Sequence, residues 1–283
     1  TLGSMFNYPG EKVKKERMYI HYKASIDNVP EIIKDLTYKS ESDNRRRDNL
    51  LVIFTPAIPL DNEELQFFQK GNCDFKNRAA VLGEISKDLF TIAIAGTHGK
   101  TTTATILAHI LKSVGRQVIA FLGGVSNNYN TNLLLPKEIT EETLLIVEAD
   151  EYDRSFLALK PTIAIITNLE MEHTDCYKDL NDLKNAFLQF CQSVPFYGEI
   201  IICAESKPLM SIIDKIKKPY VTYGLSDNSD FYAKDIKYNK NESEYTLFHK
   251  NKSLGTIKIN APGKHNILNS LAALALGIEI DIP

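Results

Sequence analysis

Residues 92–103 read I-A-I-A-G-T-H-G-K-T-T-T, and this stretch decides the fold. A run of β-branched residues and alanine, the composition of a buried strand, ends in a turn carrying Gly96 and Gly99. An apolar pattern of helical period follows from Lys100. Strand, glycine turn and helix in that order bring backbone N–H groups, an ammonium and a hydroxyl to one helix N-terminus, where unpaired amides and the helix dipole favour an anion. The two glycines let the backbone turn and approach that anion closely. Lys100 neutralises charge on the outer phosphates of a nucleotide, and the Thr101 hydroxyl suits Mg²⁺. ATP and Mg²⁺ are therefore the expected cofactors, held by Gly96, Thr97, His98, Gly99, Lys100, Thr101 and Thr102. The stricter phosphate-loop spacing puts a further glycine where Ile94 stands, so the pattern here is the shorter G-x-x-G-K-T. The alternative reading is an ordinary strand–helix turn with an exposed lysine.

Outward from this stretch, strand and helix signals alternate, the pattern of a mostly parallel sheet with crossover helices. Upstream, Met18–Tyr22 suggests a short strand, Val29–Leu36 a helix and 39–49 a solvated loop. Leu50–Phe54 reads as a strand stopped by Thr55-Pro56-Ala57-Ile58-Pro59. Asp61, with Glu64 three residues on, predicts a capped helix. Cys73–Phe75 and Arg78–Ile85 read as a strand and a helix. Downstream, Lys100–Val114 predicts a helix closed by Gly115. Strands are expected at Gln117–Leu122, Leu144–Glu148, Thr162–Thr167, Glu199–Cys203 and Tyr220–Tyr223. Helices are expected at Leu180–Val194, Pro208–Lys215 and Asn266–Gly277, and antiparallel hairpins over 231–259. The fold class is α/β, with a first domain over 1–90 and a phosphate-loop ATPase domain over 91–283, its parallel sheet carrying a small antiparallel extension.

The bulk numbers narrow the function classes. The chain has 283 residues, 43% of them hydrophobic, enough for a sizeable core. A net charge of −3 argues against a nucleic-acid surface or a polybasic membrane anchor. No apolar run reaches the ~18 residues of a membrane span, and the N-terminus lacks the order of a signal peptide. Cys73, Cys176, Cys191 and Cys203 are scattered, without the spacing of a zinc site or a disulfide framework. These features lead to the expectation of a cytoplasmic protein.

Two polar clusters follow expected strands. Leu144–Val147 runs into Glu148-Ala149-Asp150-Glu151-Tyr152-Asp153. Carboxylates at the C-terminal end of a buried parallel strand lie where such sheets hold ligands, so Glu148 is expected to complete the Mg²⁺ shell begun by Thr101. Asp150, Glu151 and Asp153 read as a solvated acidic loop. The second cluster is Asn168-Leu169-Glu170-Met171-Glu172-His173-Thr174-Asp175. His173 is open to a metal, phosphate or structural role, and Asn168 to orienting the loop or touching substrate.

These segments resemble the Mur ligases of peptidoglycan synthesis. The resemblance rests on T-P-A-I-P-L-D-N-E-E-L (55–65), A-G-T-H-G-K-T-T-T (95–103), L-G-G (122–124), V-E-A-D-E-Y-D-R-S-F (147–156), T-N-L-E-M-E-H-T-D (167–175), V-P-F-Y-G (194–198) and P-G-K-H-N-I-L-N (262–269). It implies an ATP-dependent amide ligase acting through an acyl phosphate, with UDP-N-acetylmuramate and L-alanine as small-molecule substrates. A murein tripeptide recycling ligase of the same family is the alternative; a phosphate-loop kinase and a non-catalytic nucleotide-binding protein are readings from other classes. The resemblance further implies that Lys100, Glu148 and His173 are catalytic. Thr101 and Glu148 would hold the first Mg²⁺, His173 the second, and Asn266 and Asn269 would meet the adenine. Thr55, Ala57, His98 and Asn168 would face the muramyl substrate. For Asn266, capping its own helix is the competing role.

The family's first domain, Rossmann-like, opens with a glycine-rich turn, and residues 1–49 contain only Gly3 and Gly10. Its C-terminal domain, of ~150 residues, has no counterpart before Pro283. The expectation is therefore a fragment with an incomplete first domain that retains at most nucleotide and Mg²⁺ binding.

Overall fold

The computed structural model describes residues 47–54, 58, 59, 61–70, 73–172 and 174–282. The elements expected at 18–22 and 29–36, and the site candidates Thr55, Ala57 and His173, lie outside the described residues. The chain divides into two compact units, Thr1–Arg78 and Ala79–Pro283.

In the first unit, β1 (Arg47–Phe54) and β2 (Cys73–Asn77) pair in parallel, joined through α1 (Glu63–Lys70). The rings of Phe54 and Phe75 pack across the pair at 4.8 Å, tilted by 31°. The cap of α1 differs from the expected one. Asn62 Oδ1 accepts the Leu65 amide at 3.0 Å, so the cap sits one residue beyond Asp61, where an amide oxygen reaches the same orphan N–H. Helix α2 (Arg78–Ile85) then crosses the division between the units.

The second unit is built on a ten-stranded sheet. Its strands are β3 (Phe90–Ala95), β4 (Val118–Ser126), β5 (Thr131–Leu134), β6 (Leu144–Ala149), β7 (Ile163–Ile166), β8 (Glu199–Cys203), β9 (Tyr220–Gly224), β10 (Phe231–Tyr238), β11 (Ser243–His249) and β12 (Lys252–Ile259). Their spatial order is β12-β11-β10-β9-β8-β7-β3-β6-β4-β5. The strands from β4 across to β10 run parallel; β11 and β12 add antiparallel hairpins at one edge, and β5 closes the other. β4 is longer than its apolar run indicated, because Gly123-Gly124 carries the strand onward into a hairpin with β5.

Two-residue periodicity divides the core between the faces of the sheet. Ile92, Ile94, Ile146 and Ile165 point to one face, covered by α3 (Lys100–Ser113) and α6 (Lys264–Glu279). Ala93, Ala95, Leu145, Val147, Ala164 and Ile166 point to the other, covered by α4 (Leu180–Ser193) and a 3₁₀ segment, Tyr152–Ala158. There Phe156 packs on Phe187 and Phe190 at 5.2 and 5.0 Å. The helix expected over 208–215 is broken into α5 (Lys207–Met210) and a 3₁₀ turn, Ile213–Lys215. Among the described residues no helix is long and apolar enough to cross a membrane.

β3 sits in the middle of the parallel strands, with β6 on one side and β7 on the other. The chain leaves β3 through α3 toward β4 and later returns on the opposite side as β7. The C-terminal ends of β3, β6 and β7 therefore flank the point where the winding reverses, the place where open parallel sheets bind ligands.

Candidate functional site

Gly96–Gly99 forms the turn between β3 and α3, with Gly99 as the cap of the helix. Both glycines are required. Gly96 has φ +132° and its missing Cβ would lie 2.2 Å from Thr167 Oγ1; Gly99 has φ +84° and its missing Cβ would lie 2.4 Å from Asn269 Oδ1. The turn is braced from the end of β7. Asn168 accepts the His98 amide on Oδ1 at 2.9 Å and donates Nδ2 to the His98 carbonyl at 3.0 Å. Thr167 Oγ1 donates to the same carbonyl at 2.6 Å. The Thr97 amide and hydroxyl bond the backbone of Asn168 and Glu170. The loop is thus held in shape by protein contacts, so its amides need little reorganisation to receive an anion.

Lys100 opens α3 and folds back over this loop. Its Nζ donates to the Gly96 carbonyl at 2.6 Å and to Glu151 Oε2 at 2.6 Å. Thr101 Oγ1 donates to Glu148 Oε2 at 2.8 Å, and the Gly123 amide on β4 donates to Glu148 Oε1. A hydroxyl and a carboxylate, both hard oxygen donors, meet on the open side of the helix N-terminus beside the lysine. That donor set fits Mg²⁺, which takes one or two protein oxygens and completes its shell with water and phosphate. Gly123 makes room for the pair, since a Cβ there would lie 2.6 Å from Glu148 Oε2 and 2.9 Å from Thr101 Oγ1.

The remaining candidates surround this centre. The exposed His98 ring sets Nε2 3.3 Å from Glu172 and 3.7 Å from Glu170. Thr102 is exposed on the first turn of α3. Asn269, largely buried on α6, accepts from the Thr103 hydroxyl at 3.3 Å and faces Gly99, so α6 reaches the Gly96–Gly99 turn directly. Asn266, one turn earlier, donates Nδ2 to the Pro262 carbonyl at 2.8 Å.

One residue departs from the sequence reading. Asp150 and Asp153 are exposed, as a solvated loop requires, but Glu151 is only 2% exposed. The 3₁₀ turn after β6 rotates it inward, and its backbone carbonyl accepts the buried Tyr177 hydroxyl at 2.6 Å. Arg154 lies over the Tyr177 ring at 4.9 Å and donates Nη2 to both carboxylate oxygens of Asp182 at 2.8 and 2.7 Å. Burial pushes the Tyr177 hydroxyl well above its ordinary value. Gly123 was legible only as part of L-G-G. No local signal marks Glu151, because it lies between the end of β6 and the 3₁₀ segment and is turned inward by packing.

The Mur ligase middle domain matches residues 94–277. UDP-N-acetylmuramate–L-alanine ligase of Christiangramia forsetii is 35% identical over 94% of this chain and 54% of its own length. The solved UDP-N-acetylmuramate–alanine ligase of Thermotoga maritima superposes with a TM-score of 0.70 at 26% identity, covering 84% of this chain and 53% of that one. The UDP-N-acetylmuramate:L-alanyl-γ-D-glutamyl-meso-diaminopimelate ligase from Neisseria meningitides superposes with a TM-score of 0.73 at 23% identity, covering 87% and 77%. The chain spans about half the length of the curated relatives it matches. With a middle-domain match over more than half its residues, the chain belongs to the Mur ligase family.

Proposed function

We propose that this chain carries the ATP site of a bacterial cytoplasmic ligase that joins L-alanine to UDP-N-acetylmuramate. The observation that carries the reading is the convergence of Lys100, Thr101, Glu148 and the Gly123 amide at one helix N-terminus. Relatives at 35 and 39% identity bear the alanine ligase name, which favours alanine over a recycled tripeptide as the added group.

In the proposed reaction a carboxylate oxygen of the muramyl substrate attacks the γ-phosphorus of ATP and ADP departs. The amine nitrogen of alanine then attacks the acyl carbon, phosphate departs, and the nitrogen loses a proton. The chain's part is positioning and charge stabilisation. Amides of the Gly96–Gly99 turn cradle the phosphates, and Lys100 spreads the negative charge of the transferred group. Thr101 and Glu148 would hold Mg²⁺, with His173 proposed for a second ion. Mg²⁺, when bound, supplies neutralisation of the phosphate oxygens. Asn168 fixes His98 at the mouth of the loop, toward the proposed muramyl side. Asn266 and Asn269 are proposed for the adenine, whose edge pairs with an amide's donor and acceptor; Thr55 and Ala57 are proposed for the muramyl substrate.

Calorimetric titration of ATP with Mg²⁺ into the 283-residue chain tests the site. Binding that weakens at least tenfold in Lys100→Ala and in Glu148→Gln is expected; binding indifferent to both substitutions would refute it. Hydroxylamine trapping with ATP and UDP-N-acetylmuramate tests the acyl phosphate, and ADP formation without hydroxamate would instead indicate an NTPase.

A further inference from the structure

Lys100 and Glu151 form the least exposed ion pair among the described residues, with side chains 16% and 2% exposed. The nucleotide reading accounts for the lysine and leaves the carboxylate without a role. A buried anion beside a site for triphosphate opposes the ligand it adjoins, so its retention there calls for a physical account.

We propose that Glu151 is a positioning residue: it holds the Lys100 ammonium folded onto the phosphate loop before nucleotide binds, and competes with phosphate for that ammonium. An ammonium has three donors. Two of them are committed, to Glu151 Oε2 and to the Gly96 carbonyl, each at 2.6 Å. The third is left for a phosphate oxygen, and any further phosphate contact must share or displace these two.

The surroundings of Glu151 are built to hold it. Its carbonyl receives the Tyr177 hydroxyl, Arg154 covers the Tyr177 ring, and Asp182 on the first turn of α4 clamps Arg154. Asp153 and Arg154 adopt φ of +52° and +54°, in the left-handed region that non-glycine residues seldom occupy. Such strain persists where surrounding contacts over-determine it. The brace runs from α4 through Arg154 and Tyr177 to Glu151, and so to Lys100.

This inference rests on the nucleotide reading of the loop, and a double-mutant cycle separates the two. Wild type, Glu151→Gln, Lys100→Met and the double variant are titrated with ATP and Mg²⁺. Glu151→Gln is expected to tighten binding about tenfold, the low end of one charge-assisted hydrogen bond released. In the Lys100→Met background the same change is expected to have no effect, because the competition acts only through Lys100. Should Lys100→Met fail to fold with its carboxylate left buried, the comparison of wild type with Glu151→Gln still decides. Binding unchanged or weakened by Glu151→Gln overturns the inference alone. An equal gain in both backgrounds also overturns it, because Glu151 would then act as a general repulsive charge. Absence of binding by wild type overturns the nucleotide reading and this inference with it.

Discussion

Replacing Gly123 by alanine probes the proposed Mg²⁺ geometry without touching a charged residue. The added Cβ would stand 2.6 Å from Glu148 Oε2 and 2.9 Å from Thr101 Oγ1, closer than carbon and oxygen approach without bonding. No positive φ is required at this glycine, so the alanine backbone is unstrained. The nearest atom is the end of a flexible side chain, and Glu148 relieves the overlap by rotating away. Rotation breaks its bond from the Gly123 amide and its bond from Thr101. Hydrogen bonds to a charged group contribute about 1.5–3 kcal/mol each, and about 1.4 kcal/mol is tenfold in an equilibrium constant. Loss of one such bond's worth of positioning predicts a 10- to 100-fold weaker Mg²⁺-dependent affinity for ATP. ATP binding measured in EDTA should change less than twofold, because Lys100 and the loop amides are untouched. Calorimetric titrations with and without Mg²⁺ read both numbers, and thermal melting checks that the fold survives. A Gly123→Ala protein that binds ATP equally well in Mg²⁺ as wild type would refute the assignment of Glu148 and Thr101 to the metal.

Two further predictions concern stability. Phe187→Ala removes a fully buried ring that packs on Phe156 at 5.2 Å, and should destabilise the chain by about 3–5 kcal/mol in urea unfolding; a loss below about 1 kcal/mol would contradict the described packing of α4. The Arg154 guanidinium hydrogen-bonded to Asp182, with the Lys178 amide, holds the Asp182 carboxyl below its ordinary value of 3.8. A folded-state value below the unfolded one makes this contribution present above about pH 4 and lost as pH falls through the folded value. Asp182→Asn should therefore lower the melting temperature at pH 7 and show a shallower decline below pH 4; parallel acid limbs in the two proteins would count against the pairing.

Much of the fold was legible because its signals are local. The buried strands announce themselves as short runs such as Ile163–Ile166 and Glu199–Cys203, and α4 and α6 as apolar patterns of helical period. The broken helix after Lys207 and the extension of β4 through Gly123-Gly124 were not, since both depend on which strands lie beside them. The capping of α1 by Asn62 in place of Asp61 shows the usual one-residue uncertainty where two candidate side chains adjoin.

By itself, the sequence determined the order strand–turn–helix, the glycines and lysine of the loop, and the resemblance through which its carboxylates acquire expected roles. These follow from neighbours along the chain, where covalent spacing sets which groups meet. Tertiary structure alone decided which carboxylate does what. Glu148 and Glu151 are three residues apart and chemically alike. β6 directs Glu148 to Thr101 on α3 and to the amide of Gly123 on β4, a strand that sequence order does not make its neighbour. The strained turn at Asp153 and Arg154 sends Glu151 inward to Lys100. The physical reason is that a carboxylate's partner and its exposure are set by long-range packing, and neither is encoded in the residues on either side of it.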